Sequence, residues 1–68
     1  MTNINERSNI KKYGLKVIND DRFETATGKA YITKEHKTYY VWGHGAEFLG
    51  YTYNFASACE CAVEYERR

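Results

Sequence analysis

No proline interrupts this chain of 68 residues, and tryptophan and methionine occur once each. Without proline, no helix or strand carries an obligatory break. Cysteine is scarce too: Cys59 and Cys61 are the whole supply, two positions apart. Neighbours at i and i+2 on a helix or strand do not meet the demanding geometry of a disulfide. Free thiols in a reducing, cytoplasmic setting are therefore expected. The N-terminal residues are polar throughout, unlike a secretion signal. No apolar run approaches the roughly 20 residues that cross a bilayer, so a membrane partner is not expected.

Motifs that carry chemistry are lacking as well. Structural zinc needs four converging ligands, commonly from C-x-x-C turns. The soft donors here are Cys59, Cys61, His36 and His44. A C-x-C on a helix points its sulfurs roughly 200° apart, and a buried cysteine commonly acts as a small hydrophobe. His44 activating Cys61, with Glu47 as orienter, is the one arrangement for nucleophilic catalysis. Gly43-His44-Gly45 reads more simply as a turn. Thr27-Gly28-Lys29 matches the end of a phosphate-binding loop but lacks its upstream glycine and following helix. A chain this short buries only roughly 60% of its unfolded surface. A ligand cavity of roughly 300 Å³ would consume much of that core. No catalytic residue, metal or cofactor is expected, and the chain is not expected to be an enzyme.

Strong net charge is also missing. The total is +1, unevenly spread. Residues 1–37 hold eight basic and five acidic groups, net +3, and residues 38–68 hold Arg67 and Arg68 against Glu47, Glu60, Glu64 and Glu66, net −2. This is a mild dipole rather than a polycation built for nucleic acid.

What the chain does have is aromatic weight. Hydrophobic residues make up 43% and aromatic residues 16%, with seven Tyr, three Phe and one Trp. That composition is globular. Tyrosine packs with its ring and keeps a hydroxyl for water or a partner, which suits a half-exposed sheet and equally an interface.

Residues 1–12 are polar, with Ile4 and Ile10 as the only aliphatics. They read as an N-terminal arm, either a loose tail or a short frayed helix. Residues 13–68 read as a single domain. Tyr13–Ile18 alternates as a half-buried strand with Tyr13, Leu15 and Val17 on one face. Asn19-Asp20-Asp21 is a turn. Arg22–Thr27 is a short strand or a connector, and Gly28 marks a bend. Lys29–Thr33 is a strand, followed by a four-residue charged turn at Lys34–Lys37. Thr38–Trp42 has the strongest strand propensity in the chain. After the Gly43-His44-Gly45 turn, Phe48–Tyr53 returns as a strand with a bulge at Gly50.

Asn54 is a natural N-cap for a helix from about Phe55 to Glu66. Phe55, Ala58, Cys59, Ala62 and Val63 form one apolar stripe on it. Glu60 and Glu64 mark its solvated side, and Glu64 pairs favourably with Arg68 at i+4. The expected fold is α+β, a small antiparallel sheet of three to four strands packed by one C-terminal helix. One helix covers one face, yet aromatics alternate onto both.

The uncovered face carries the functional expectation. The candidates for protein binding are Tyr31, Tyr39, Tyr40, Trp42, Tyr51 and Tyr53 on the sheet, and Glu60 and Glu64 on the helix. The expected role is a non-enzymatic binding protein acting by surface occupation of a protein partner, such as a nucleic-acid-processing complex. In general character it is similar to small inhibitors of host systems encoded by phages and mobile elements, such as anti-CRISPRs. The alternative is a nucleic-acid-binding module, with Lys11, Lys12, Lys16, Lys29, Lys34 and Lys37 as a basic edge beside stacking tyrosines. In outline, three strands and a C-terminal helix over Tyr13–Arg68 resemble the small arm-type DNA-binding domains of phage and transposon integrases. That resemblance implies DNA contact without assigning residues. A homodimer that hides the open face or edge is a third expectation.

Overall fold

Gly14 decides where the first helix ends. The computed structural model describes residues 4–67, and helix α1 occupies Ile4–Tyr13. Glu6 in its first turn and Lys11 and Lys12 in its last complement the helix dipole. Gly14 then takes φ +67°, and the Leu15 N–H donates back to the Ile10 carbonyl at 3.0 Å. This is the hydrogen bond that closes a Schellman cap. Ile10 and Leu15, the residues joined by that bond, both pack against the core. The polar N-terminal stretch is thus a capped helix rather than a loose tail, and residues 1–3 of it lie outside the described residues.

The strands follow as a meander: β1 Lys16–Asn19, β2 Arg22–Glu24, β3 Tyr31–Glu35, β4 Thr38–Trp42 and β5 Phe48–Thr52. They form one antiparallel sheet in the order β1-β2-β3-β4-β5. The architecture is α+β as the sequence implies, with five strands instead of three to four and a second helix at the N-terminus. Tyr13 belongs to α1 and Leu15 to its cap, so the expected Tyr13–Ile18 strand begins only at Lys16. The Asn19 side chain accepts from the Asp21 N–H at 2.8 Å and closes the first hairpin. Thr25 closes the β2–β3 connection, its hydroxyl engaging the N–H and carbonyl of Ala30.

The β3–β4 turn is tighter than the charged run suggests. Glu35 pairs with Thr38, so only His36 and Lys37 turn, with His36 at φ +57°. Lys34 is part of the strand. On β5 the register slips: Val41 faces Gly50, while Trp42 faces Phe48. Leu49 is the extra residue of the bulge.

Helix α2 spans Phe55–Glu66, and the Asn54 side chain caps it by accepting from the Ser57 N–H at 3.2 Å. The partner expected for Glu64, Arg68, lies outside the described residues. Phe55, Ala58, Cys59 and Ala62 are buried against Phe23, Ile32, Tyr39 and Val41 of the sheet's inner face. The Phe55 ring sits 5.0 Å from both the Phe23 and Tyr39 rings. Small residues along the stripe bring α2 close over β3, β4 and β5, and α1 packs beside α2. Both helices therefore lie on one side of the sheet. Val17, in the inner row opposite Phe23, stays 48% exposed because that cover stops short of β1.

Candidate interaction surface

Residues opposite one another across an antiparallel sheet share a face. Two cross-strand rows, with the Glu35–Thr38 pair beyond them, therefore build the outer face. The first runs Lys16, Glu24, Tyr31, Trp42, Phe48, and the second Asn19, Arg22, Thr33, Tyr40, Tyr51. No helix among the described residues covers this side. Its character changes along the rows, from charged on β1 and β2 to aromatic on β4 and β5.

The rings interlock rather than merely coexist. The Arg22 guanidinium sits 4.2 Å from the Tyr31 ring centroid while pairing with Glu24 at 3.4 Å. Tyr31 stacks on Trp42 at 6.1 Å with planes 11° apart. The Trp42 indole N–H donates to the Thr33 hydroxyl at 2.9 Å, which fixes its orientation. Phe48 meets Trp42 edge-on at 5.1 Å, and Tyr40 lies 6.4 Å from both Phe48 and Tyr51. Tyr53, just past β5, closes the chain edge-on to Tyr51 at 6.1 Å. Such ring pairs hold one another in place before any partner arrives. Exposure rises toward β5, with Phe48 at 52%, Tyr51 at 61% and Tyr53 at 73%.

Five of the sequence candidates, Tyr31, Tyr40, Trp42, Tyr51 and Tyr53, thus share one surface. Tyr39 does not belong to it. It faces inward, 7% exposed, because it alternates with Tyr40 along β4. Glu60 and Glu64 are exposed on α2, on the opposite side of the molecule. Sequence reasoning missed Phe48 and Arg22. The signal for Phe48 was a bulge that puts residues 48 and 51 on one face, three apart instead of two.

The six lysines do not form one edge, because Lys34 and Lys37 stand apart from the others. Lys29 and Lys37 lie at opposite ends of β3, and Lys11 and Lys12 are on the last turn of α1. Lys16 stands opposite Glu24. Lys34 points behind the sheet, where its ammonium bonds Glu6 at 2.8 Å. On the outer face Lys16 and Arg22 are matched by Glu24 and Glu35, so the aromatic surface is close to neutral.

Behind the sheet the polar groups are held in hydrogen bonds and ion pairs. Glu6 is fully buried and accepts from the Tyr39 hydroxyl at 2.5 Å as well as from Lys34. Burial, and then the bond to Glu6, push the Tyr39 phenol well above its ordinary value. Burial pushes the Cys59 thiol up to about 12, far from the thiolate that reactive cysteines need. Cys61, half-buried, lines a cleft of about 170 Å³ with Leu49, Glu64 and Tyr65. The Tyr65 hydroxyl accepts from the His44 N–H at 3.1 Å and donates to Glu47 at 3.4 Å. Thr27, Gly28 and Lys29 form part of the turn before β3, with the Lys29 N–H on the Thr27 hydroxyl. Among the described residues, no group of three or more His, Cys, Asp or Glu is placed to hold a metal ion, and no helix is long and apolar enough to cross a membrane. Comparison of the chain with protein-family models, curated proteins and solved structures finds no match.

Proposed function

We propose that this chain is a non-enzymatic binding protein whose outer sheet face occupies the surface of a protein partner. The observation that carries this reading is the unbroken ladder of six rings, Tyr31, Tyr40, Trp42, Phe48, Tyr51 and Tyr53, on a face no helix covers. Tyr, Trp and Arg dominate the residues that carry binding energy at protein interfaces, and Arg22 joins the ladder at one end. The near-neutral charge of the face favours a protein over a nucleic acid, whose phosphates call for net positive charge. Action by occupation, in a reducing cytoplasm, suits a small chain with two free thiols. It is the mode of inhibitors carried by phages and mobile elements.

A photo-crosslinking residue placed at position 51, with a control at position 60, tests the reading in the source cells. One protein captured at 51 and not at 60, and lost with Tyr53→Ala, supports it. Equal capture at both positions refutes it. Oligonucleotide titration at two salt concentrations covers the alternative. Binding that weakens steeply with salt and with Lys16→Ala or Arg22→Ala reassigns the face to nucleic acid.

A further inference from the structure

We infer that the free edge of β5, with the cleft between β5 and α2, takes an extended, positively charged segment of the partner as an added strand. This deepens the proposed function and rests on the partner being a protein.

The edge is open. Strand β5 ends the sheet, so alternate backbone N–H and C=O groups along it face no strand among the described residues. Proteins commonly guard such edges with charge, proline or shortness. The opposite edge, β1, has four residues, begins with Lys16 and slips register between Val17 and Asn19. Strand β5, Phe-Leu-Gly-Tyr-Thr, has no charge and no proline. Its bulge is the guard it does carry, and Leu49, the bulged residue, lines the cleft beside α2.

The geometry suits strand addition, in which main-chain hydrogen bonds supply affinity and alternate side chains supply specificity. One set of side chains on the added strand would lie beside Phe48 and Tyr51 and extend the aromatic ladder. The other set would face the cleft of about 170 Å³ bounded by Leu49, Cys61, Glu64 and Tyr65. That space fits one side chain and falls short of the roughly 300 Å³ of a small-molecule site.

Charge selects the occupant. No Lys or Arg occurs between Lys37 and Arg67, whereas Glu47, Glu60, Glu64 and Glu66 all do. Glu47 directly precedes β5, and Glu64 stands in the cleft wall. A strand carrying Lys or Arg complements Glu47 and Glu64 at this edge. A second copy of β5 would set these carboxylates against their own copies, and like charges across an interface disfavour that pairing.

The test pans displayed random linear peptides, long enough to span β5, against the full chain. Bound peptides are then mapped by amide hydrogen exchange and NMR shifts. Enriched peptides are expected to be proline-free and rich in Lys or Arg, and to protect amides of Phe48–Thr52. Backbone N-methylation at alternate peptide positions should abolish binding, and Glu64→Lys should weaken it at least about fivefold. Strand addition is overturned by no enrichment, by acidic peptides, or by peptides that shift only outer-face rings. It is also overturned by β5 amides already protected without peptide in a species of twice the chain mass by light scattering. Partner capture lost with Tyr53→Ala still supports the outer-face reading in those cases. Capture indifferent to Tyr53→Ala, with cationic peptides protecting β5, leaves strand addition standing and removes the outer-face reading.

Discussion

The two faces of this sheet are built from similar residues and have opposite fates. On β4, Tyr39 and Tyr40 are neighbours in sequence. Tyr39 is buried under Phe55 with its hydroxyl on Glu6, while Tyr40 stands among Phe48 and Tyr51 on the open side. Side-chain type does not separate them. Position in the two-residue period does, together with what lies above each face. The same residue type therefore supplies folding energy on one side and an open aromatic surface on the other.

That contrast breaks most visibly at Phe55. Truncation to Ala should cost about 3–5 kcal/mol in denaturant unfolding, comparable with the whole stability of a domain this size. A small loss would mean that α2 does not anchor the inner face. Next comes Lys34→Met, which removes a cation bonded to a fully buried carboxylate. A loss of about 3 kcal/mol is expected, accompanied by reduced helicity in circular dichroism as α1 loosens. Adding Glu6→Gln should recover part of it, since a neutral amide at position 6 no longer calls for the Lys34 ammonium.

Alkaline titration gives a more gradual loss with a defined sign. Burial raises the Cys59 thiol from 9.0 to about 12, so the folded state holds a proton that the unfolded chain releases. This thiol's contribution to stability should be level below pH 9 and fall as pH rises from 9 toward 12. Tyr39, also raised, adds a loss of the same sign above its ordinary 10.0. Cys59→Ala should flatten the first part of the decline in unfolding curves taken on either side of pH 9. The smallest effects belong to the outer face. Tyr51→Ala and Tyr53→Ala should each change stability by within about 0.5 kcal/mol. A larger loss at either position would make the open rings part of the core's support and erase the contrast.

Elements with one strong periodic signal were legible in the sequence. Strand β4 and helix α2 fall where propensity, the apolar stripe and the Asn54 cap put them. Helix α1 was not legible as more than a frayed option, because half of its inward stripe is polar. Glu6 and Asn9 are buried there alongside Ile10 and Tyr13, which pack inward. Hydrophobic periodicity cannot register a carboxylate whose partners, Lys34 and Tyr39, lie far along the chain. The same pairing disguised Lys34 as a turn residue. The candidate surface was legible as a set of rings but not as a face. Sorting Tyr39 from Tyr40, and finding Phe48, required a register that only the paired strands and the Leu49 bulge supply.

The strictly sequential order of the strands has a kinetic consequence. Every strand pairs only with its neighbours along the chain, so the sheet forms through short loop closures alone. Helix α2 follows β5 after two intervening residues and lands on the hairpins just completed. Low contact order of this kind favours fast folding. A chain with so many unshielded rings therefore spends little time with both sides of its sheet open to other molecules.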